Sequence, residues 1–267
     1  MKNYEIKIKQ LEAEGKFDEH VMPVNYDYVK QLDENYNHLP KNIFFKLYSA
    51  LIRAVVKVIT PLYNFAVYSV RVSGRRNLRG LKRGVVISNH VLTTDYLFSR
   101  QVIRRKLYVA GGDFNNKKGF AGLTLKAGGF IPHGNSFTTQ KKFGDVVGEI
   151  LSKNQFILFY PEQALWPKYE KPRPFKRGSF YYAVKNNVPI IPVFICFRNK
   201  SRKYKQTKKT KVTVKILEPL CFNNQLPERE QSEDLRIRAE QSYKKAYEEF
   251  YKKTLEYEKI SQDSEKN

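Results

Sequence analysis

The sequence has 267 residues and combines an ordinary hydrophobic content of 41% with a large excess of positive charge. Its 49 Lys and Arg residues against 26 Asp and Glu residues give a formal net charge of +23, which predicts anionic partners such as nucleic acid, acidic phospholipid headgroups or acidic carrier proteins. With only two cysteines, the chain carries no disulfide framework or Cys/His metal pattern, so we expect a reducing compartment. The charged N-terminus lacks the apolar stretch of a signal peptide, and we expect no secretion by that route.

The N-terminal part of the chain divides into a polar and an apolar segment. Residues 1–42 are polar and mixed in sign, which predicts an irregular or partly helical lead-in. Residues 42–70 are strongly apolar, but Lys46, Arg53 and Lys57 interrupt them at a spacing that gathers the three cations on one side of a helix. Charges at such positions argue against a bilayer-spanning helix and favour an amphipathic helix in the membrane interface, with its cations toward the headgroups. The alternative is a helix packed on the protein's own core with a solvated basic stripe.

From residue 71 onward, short apolar runs alternate with segments of helical length. The runs cover residues 84–89, 106–112, 154–162, 188–197 and 211–220. Their continuous apolar character predicts strands that are covered on both faces, and the alternation predicts an α/β domain with a central, mostly parallel or mixed sheet flanked by helices. Apolar positions between Ser232 and Ile260 predict a C-terminal amphipathic helix. The expected division is therefore a lead-in and membrane-interface segment at 1–70 and a main domain at 71–267.

The stretch "SNHVLTTDYLF" at 88–98 places a histidine and an aspartate five positions apart. In one regular helix, His90 and Asp95 would point about 140° apart. They meet only if His90 ends a strand and Asp95 lies in the first turn of the next helix, with Thr93 or Thr94 as its N-cap. The carboxylate would then hold one imidazole nitrogen and leave the other free to accept a proton from a hydroxyl. The alternative is a strand-end histidine beside a helix-capping aspartate, with no chemistry between them.

Together with three later blocks, this pair resembles the marker of the glycerolipid acyltransferases, the lysophosphatidic acid acyltransferase-like family. Asn89, His90 and Asp95 match the family's histidine and aspartate separated by four residues and usually preceded by asparagine. The later blocks follow in family order: "AGGFIPHG" at 127–134, "FYPEQALW" at 159–166 and "PFKRGSFYYAVKNNVPIIPVFI" at 174–195. The resemblance spans roughly residues 70–220.

The resemblance implies a direct acyl transfer. His90 would act as general base on the free hydroxyl of a lysophospholipid, and Asp95 would orient His90 and stabilise its imidazolium. The hydroxyl would attack the thioester of an acyl-CoA or an acyl-carrier protein, and neither a metal nor a cofactor is implied. The leading assignment is acylation of 1-acyl-glycerol-3-phosphate to phosphatidic acid, with an anionic membrane surface as a further partner.

The matching blocks and the cations close to them give two expected groups of binding residues. The substrate-binding group comprises Asn89, Gly129, Phe130, Ile131, His133, Pro161, Glu162, Arg173, Lys176, Arg177 and Gly178. The acyl-donor region comprises Pro189, Ile190 and Pro192, in which the prolines are expected to shape a strand.

The sequence departs from the family at two arginine positions, one linked in the family to the acceptor's phosphate. His133 occupies the arginine position of the second block, and Leu165 occupies that of the third. Neutral histidine and leucine cannot offer phosphate the permanently charged, bidentate fork of arginine. Phosphate recognition is therefore expected from Arg173, Lys176 and Arg177. Otherwise the acceptor is a different lysophospholipid, or not a phosphomonoester.

The run "RNKSRKYKQTKKTK" at 198–211 holds eight basic residues and no acidic one. With the helix at 44–59 it predicts a two-signal anchor, which would hold the protein as a peripheral or monotopic enzyme on the cytoplasmic face of a membrane. The same charge suits an acidic acyl-carrier protein, CoA phosphates or nucleic acid, although the chain has no recognised nucleic-acid motif. The non-enzyme alternative is a protein on a degenerate acyltransferase scaffold that binds nucleic acid or a membrane surface.

Overall fold

The computed structural model describes residues 2–24, 26–33, 35–198 and 210–258. Of the basic run at 198–211, residues 199–209 therefore lie outside the described part. The helices are α1 Lys2–Ala13, α2 Ile43–Tyr68, α3 Asp95–Val102, α4 Gly119–Gly128, α5 Phe137–Ser152, α6 Gly178–Lys185 and α7 Glu228–Tyr251. The strands are β1 Arg71–Ser73, β2 Gly84–Ser88, β3 Leu107–Gly112, β4 Phe130–His133, β5 Phe156–Phe159, β6 Ile190–Arg198 and β7 Lys211–Ile216.

The seven strands form one sheet in the order β1-β7-β6-β2-β5-β3-β4. Neighbours from β6 to β4 are parallel, β7 is antiparallel to β6, and β1 is parallel to β7. The predicted α/β class with a mostly parallel sheet is confirmed, and each of the five apolar runs contains a strand. The two strands that the runs do not include, β1 and β4, are the short strands at the sheet's edges.

Helices cover both faces of the sheet, which explains why its central strands are continuously apolar. All five residues of β2 are buried, as are the first eight residues of β6. Helices α5, α6 and α7 pack on one face, while α2, α3 and α4 lie on the other. Helix α7 ends at Tyr251, because Lys252 adopts a left-handed conformation at φ 56°, so the predicted helix continuing to Ile260 is too long.

The lead-in shares a small core with the loop that follows β5. Helix α1 and the segment after it contribute Ile8, Leu11 and Val21, and the loop contributes Ala164, Trp166 and Tyr169. The indole N–H of Trp166, which is fully buried, donates to the carbonyl of Glu19 at 2.9 Å. The lead-in is therefore packed against the third sequence block.

Helix α2 turns its polar side toward the protein. Its N-terminus is capped by Asn42, whose side chain accepts from the amide of Phe45 at 2.8 Å. Hydrogen bonds then follow the inner side of the helix. They join Tyr48 to Thr124 at 2.7 Å, Ser49 to the Ala127 carbonyl at 2.7 Å, Arg53 to the Leu107 carbonyl at 3.0 Å and Asn64 to Gln101 at 2.7 Å. The outer side consists largely of exposed apolar residues.

This orientation corrects the expectation for the cations of α2. The side that carries Arg53 was expected to face headgroups, but its guanidinium contacts the sheet and lies 4.6 Å from the centre of the Tyr108 ring. Lys46 and Lys57 are exposed. Across the described residues, no helix combines the length and the apolar character that crossing a membrane would require.

Candidate active site

The candidate site lies where the parallel strands of the sheet end. Because β2, β5, β3 and β4 are parallel, their carboxyl ends lie on the same side of the sheet, which is where ligands bind in open α/β sheets. His90 follows the end of β2 by two residues, Tyr160 follows β5 directly, and His133 is the last residue of β4. Three strand spacings separate β2 from β4, so His90 and His133 are roughly 14 Å apart along this side.

The structure brings His90 and Asp95 together in the arrangement that their spacing requires. His90 lies in the loop after β2, and Asp95 is the first residue of α3. The His90 Nδ1 atom is 3.1 Å from Asp95 Oδ2, which also accepts from the amides of Val91 at 2.7 Å and Leu92 at 3.0 Å. A carboxylate only accepts hydrogen bonds, so in the neutral ring the proton resides on Nδ1 and Nε2 keeps its lone pair.

His90 has one side open to a ligand. Its side chain is 23% exposed, and Nε2 has no hydrogen-bond partner within the described part of the chain. Asp95 is fully buried, and burial raises the pKa of its carboxyl above the ordinary value, although the bonds from His90 and the two amides oppose this. The pair therefore offers a solvent-accessible proton acceptor backed by a carboxylate that water cannot reach.

A buried ion pair holds the backbone of His90 through hydrogen bonds. The Glu162 carboxylate accepts from the amide N–H of His90 at 3.1 Å, and it is bound by the Arg173 guanidinium at 2.8 Å. Arg173 also donates to the His90 carbonyl at 3.4 Å, and that carbonyl accepts from the amide of Trp166 at 3.0 Å. The side chains of Glu162 and Arg173 are entirely buried. Both peptide groups of His90 are thus held by the third sequence block and the segment after it.

The contacts of Glu162 and Arg173 differ from the roles expected for them, which rested on the resemblance for Glu162 and on charge for Arg173. Both were expected to bind the acceptor, yet each is buried beneath His90 and bound to the other. The guanidinium of Arg173 also packs 4.7 Å from the Trp166 ring and donates to the carbonyl of Phe17 at 2.8 Å. In this structure neither side chain reaches the surface where an acceptor would bind.

The other two expected phosphate-binding cations are also occupied. Lys176 forms an ion pair with Asp18 at 2.6 Å, and Arg177 forms one with Glu233 at 2.8 Å. Gly178 begins α6 immediately after them. The Lys176 amide donates to the carbonyl of Pro161 at 2.9 Å, which ties this segment to the end of β5.

Asn89 acts as a bridge between two neighbouring strands. Its amide nitrogen donates to the Ile195 carbonyl at 3.0 Å, and its side-chain oxygen accepts from the Ile195 amide at 2.8 Å. The residue is fully buried. Asn89 therefore continues the pairing of β2 with β6 and sets the point at which the chain turns toward His90.

The second block supplies β4 and the turn before it. Gly129 ends α4 at φ 112°, where a Cβ atom would lie 2.5 Å from the Arg53 guanidinium. Ile131 is buried in the sheet, and the Phe130 ring lies against Gly111, which has no side chain in its way. His133 is an exposed residue, but neighbouring protein partly desolvates its imidazole and so lowers the pKa of the ring. The negative charge of Asp113 opposes this shift.

The expected acyl-donor residues lie inside the sheet. Pro189 accepts from the amide of Val85 at 3.0 Å through its carbonyl, and Ile190 and Pro192 belong to β6. Ile190 pairs with Val85 and Pro192 with Ile87. These contacts account for the structural role of the three residues, and their contact with the acyl donor stays a prediction.

Sequence reasoning missed two aromatic neighbours of His90. The Tyr160 ring stacks on the imidazole with centroids 4.0 Å apart and planes 18° apart. His20 in the lead-in is near enough for the charge of His90 to lower its pKa, after the larger effect of burial. Tyr160 could have been found, since it precedes Pro161 inside the third block. No pattern in the sequence connects His20 to His90.

Comparisons with known proteins agree with this architecture. Residues 69–196 match the family model described as Acyltransferase. Human 1-acyl-sn-glycerol-3-phosphate acyltransferase beta is 30% identical over 151 residues, covering 54% of this chain and 53% of the relative. Mouse 1-acyl-sn-glycerol-3-phosphate acyltransferase alpha is 27% identical over 179 residues, covering 60% and 57%. The chain thus spans about half the length of the curated relatives it matches.

A solved structure shares the fold. The crystal structure of the 1-acyl-sn-glycerophosphate (LPA) acyltransferase PlsC from Thermotoga maritima matches with a TM-score of 0.54 at 21% identity, covering 82% of this chain and 86% of that one. At that identity the likeness concerns the fold alone. The matched domain, the curated relatives and the order of the four sequence blocks together confirm the resemblance to the lysophosphatidic acid acyltransferase family.

Proposed function

We propose that this protein is a membrane-associated O-acyltransferase that transfers an acyl chain from a thioester donor to the free hydroxyl of a lysophospholipid, foremost 1-acyl-glycerol-3-phosphate. The observation that carries the proposal is the His90–Asp95 pair, with Nδ1 held at 3.1 Å and Nε2 open at the carboxyl side of the sheet. The names of the curated relatives support the same acceptor. The donor is acyl-CoA or an acyl-carrier protein.

The chemistry needs one proton acceptor and no covalent intermediate on the enzyme. His90 Nε2 takes the proton of the acceptor's hydroxyl as its oxygen attacks the thioester carbonyl. The resulting imidazolium is stabilised by the Asp95 carboxylate, which water cannot screen because it is buried. The tetrahedral intermediate then collapses, the carbon–sulfur bond breaks, and the leaving thiolate takes the proton from His90. The products are the ester and a free thiol.

Glu162 and Arg173 position His90 in this scheme. Their bonds to its amide and carbonyl fix the backbone, and the Asp95 carboxylate fixes the ring. With its backbone held at two points and its ring at one, His90 keeps Nε2 in the geometry for proton transfer. Small displacements from that geometry reduce the rate greatly. The pair acts through His90 and does not contact the reacting atoms.

Among the proposed interactions, binding of the acceptor's phosphate has the least support from the side chains of the site. His133 and Leu165 stand where the family usually has arginine, while Arg173, Lys176 and Arg177 are bound to carboxylates. Lys176 is half-exposed and can exchange Asp18 for a phosphate, whereas buried Arg173 cannot. A different lysophospholipid is accordingly the second candidate acceptor.

The outer side of α2 supports a membrane-bound enzyme. Its exposed residues recur every three or four positions: Phe44, Leu47, Leu51, Val55, Val58, Leu62 and Phe65. The exposed Phe120 and Leu123 of neighbouring α4 extend this apolar stripe. A helix of 26 residues is about 39 Å long, and a continuous apolar stripe along it is the kind of surface that contacts a membrane or another protein.

Burial of this apolar stripe in a bilayer would stabilise binding substantially. Moving one exposed side chain of this size from water into the acyl boundary contributes about 1 kcal/mol or more. At its other end α2 reaches the site, because the Thr94 hydroxyl donates to the Tyr68 hydroxyl at 3.1 Å, next to Asp95. A helix lying in the interface would thus bring His90 close to its lipid substrates, with the enzyme peripheral or monotopic on the cytoplasmic face.

The test is acyl transfer by the purified protein. Acyl-CoA and acyl-carrier protein serve as donors, a panel of lysophospholipids as acceptors, and products are identified by mass spectrometry. We expect phosphatidate from 1-acyl-glycerol-3-phosphate. Transfer only to another lysophospholipid would keep the reaction and reassign the acceptor. Absence of transfer from either donor to any acceptor would refute the proposal and favour the non-enzyme alternative.

A further inference from the structure

A cavity lined by cations lies at the amino ends of β2 and β5, opposite to His90. It has a volume of about 450 Å³, within the range of small-ligand sites. Five guanidiniums surround it: Arg75, Arg76, Arg79, Arg104 and Arg105. Its floor is apolar and consists of Leu78, Leu81, Val102, Ile103 and Phe156. We call it the arginine cavity.

The arginine cavity is separate from the candidate active site. Phe156 is the first residue of β5, and Leu81 precedes β2, so the cavity lies where these strands begin. His90 lies beyond the other end of β2, which has five residues at about 3.3 Å each. The two places are therefore roughly 20 Å apart, and a group bound to the arginines cannot also be at His90.

The five guanidiniums carry uncompensated charge. No carboxylate lines the cavity, and none of the five forms an ion pair within the described part of the chain. Burial, and then the charge of nearby Arg104, lower the pKa of Arg75. A neighbouring cavity of about 360 Å³ also holds cations, but there Glu149 binds Lys153 at 2.5 Å and Lys41 at 3.9 Å. Mutual repulsion without a counter-charge marks the arginine cavity as a site for an anion.

The floor and the position of the cavity indicate which anion. Leu78, Leu81 and Val102 belong to the apolar cluster that also includes Tyr68 of α2, so the cavity lies on the same face of the sheet as α2. Guanidiniums bind phosphate through bidentate hydrogen bonds, and an apolar floor suits the glycerol and first methylenes of a lipid. A single-stranded nucleic acid would instead use exposed aromatic rings for stacking, and the one ring among the lining residues, that of Phe156, is buried.

We propose that the arginine cavity binds the phosphate headgroup of an anionic phospholipid, at a site distinct from that of the acyl acceptor. This goes beyond the proposed function and rests on it only for the orientation of α2 at the bilayer. The bound lipid would give the enzyme a preference for anionic membranes and fix its rotation about α2.

The test is cosedimentation with phosphatidylcholine vesicles, with and without phosphatidylglycerol. Three double variants are compared: R75Q/R104Q, the charge-conserving R75K/R104K, and K244Q/K245Q, which removes the same charge from exposed positions of α7 on the other face. We expect R75Q/R104Q to lose about tenfold or more in affinity for the anionic vesicles, since each cation near such a surface contributes about 1 kcal/mol. R75K/R104K should lose several-fold, and K244Q/K245Q less than about twofold.

Three results would overturn the proposal. Equal losses in R75Q/R104Q and K244Q/K245Q would mean a diffuse electrostatic attraction, and wild-type binding by R75K/R104K would mean that no guanidinium site exists. Displacement from the vesicles by free coenzyme A or by a short RNA, through the same two arginines, would assign the cavity to a soluble phosphate or to nucleic acid. His90→Ala should bind vesicles like the wild type, so this proposal and the acyltransferase proposal can fail separately.

Discussion

Replacement of Asp95 by asparagine separates the charge of this carboxylate from its hydrogen bonds. Asp95 Oδ2 accepts three bonds, while Oδ1 has no partner, so an asparagine can keep its oxygen toward the amides of Val91 and Leu92 and its nitrogen at the unpartnered position. At 3.1 Å and an effective dielectric constant of about 20, the carboxylate stabilises a His90 imidazolium by about 5 kcal/mol. The amide dipole retains part of this, so we expect kcat to fall by about 10³-fold.

The stability of the Asp95→Asn variant should change in the opposite direction. Burial raises the pKa of Asp95 in the folded protein. A raised pKa means that the folded state is favoured at low pH and that this contribution is lost as pH rises through the folded-state value, so at neutral pH the ionised carboxylate reduces stability. The asparagine removes this cost, and the midpoint of thermal unfolding at pH 7 should equal or exceed that of the wild type.

The assay pairs steady-state kinetics with thermal unfolding on the same preparation. A fall in kcat at unchanged or raised unfolding temperature is the expected pattern, and KM should change little because the imidazolium forms only in the transition state. The reasoning is refuted if kcat stays within tenfold of the wild type. It also fails if activity and stability fall together, because Asp95 would then serve the fold.

Three further predictions concern the support of the site, the fold and the membrane. Glu162→Gln leaves the Arg173 guanidinium buried without a counter-charge, so the free energy of unfolding should fall by about 3–5 kcal/mol, and kcat should fall as well. Denaturant titration measures the first effect and steady-state kinetics the second. Unchanged stability would contradict the importance of the buried pair. Gly74→Ala should destabilise the protein by about 2 kcal/mol more than Gly80→Ala. Both glycines have φ near 80°, but only at Gly74 would a Cβ atom collide with another atom, the Ile216 carbonyl oxygen at 2.0 Å. Equal effects of the two substitutions on thermal unfolding would contradict this. Leu51→Ser with Leu62→Ser should weaken cosedimentation with vesicles about tenfold at unchanged unfolding temperature, and full retention would exclude the apolar stripe as the membrane contact.

The sequence predicted the sheet well because its central strands are buried on both faces. Strands such as β2 and β6 are continuous apolar runs, so their pattern alone identifies them. Strand β4 was not foreseen as a strand, since it has four residues and contains Pro132, which an edge strand tolerates because one side of it needs no partner. Edge position is a property of the whole sheet and is absent from local sequence.

The orientation of α2 could not be deduced from its periodicity. Spacing placed Lys46, Arg53 and Lys57 on one side of the helix, but which side faces the protein depends on the acceptors it meets. Those acceptors, among them the carbonyls of Leu107 and Ala127, come from segments more than 50 residues away. Arg53 therefore serves as an internal hydrogen-bond donor, and the apolar side is left outside.

The pairing of His90 with Asp95 was predictable, whereas the support beneath it was not. A strand end followed by a helix start leaves few geometries for two side chains five residues apart. The Glu162–Arg173 pair depends instead on a loop that folds back beneath His90 and on packing against Trp166, neither of which has a signature in the spacing of residues. For this reason Arg173 was interpreted from its charge alone.

The most direct test of the account is the rate of acyl transfer to 1-acyl-glycerol-3-phosphate by the wild type and by His90→Ala, measured on protein whose unfolding temperature is the same. The imidazole is partly exposed and stacks on one ring, that of Tyr160, so the variant should lose little packing and should fold. We predict phosphatidate formation by the wild type and a loss of at least about 10³-fold in the variant, the part of the rate that a general base with its oriented carboxylate supplies. Transfer by His90→Ala at a rate close to that of the wild type would contradict the assignment of His90 as the base.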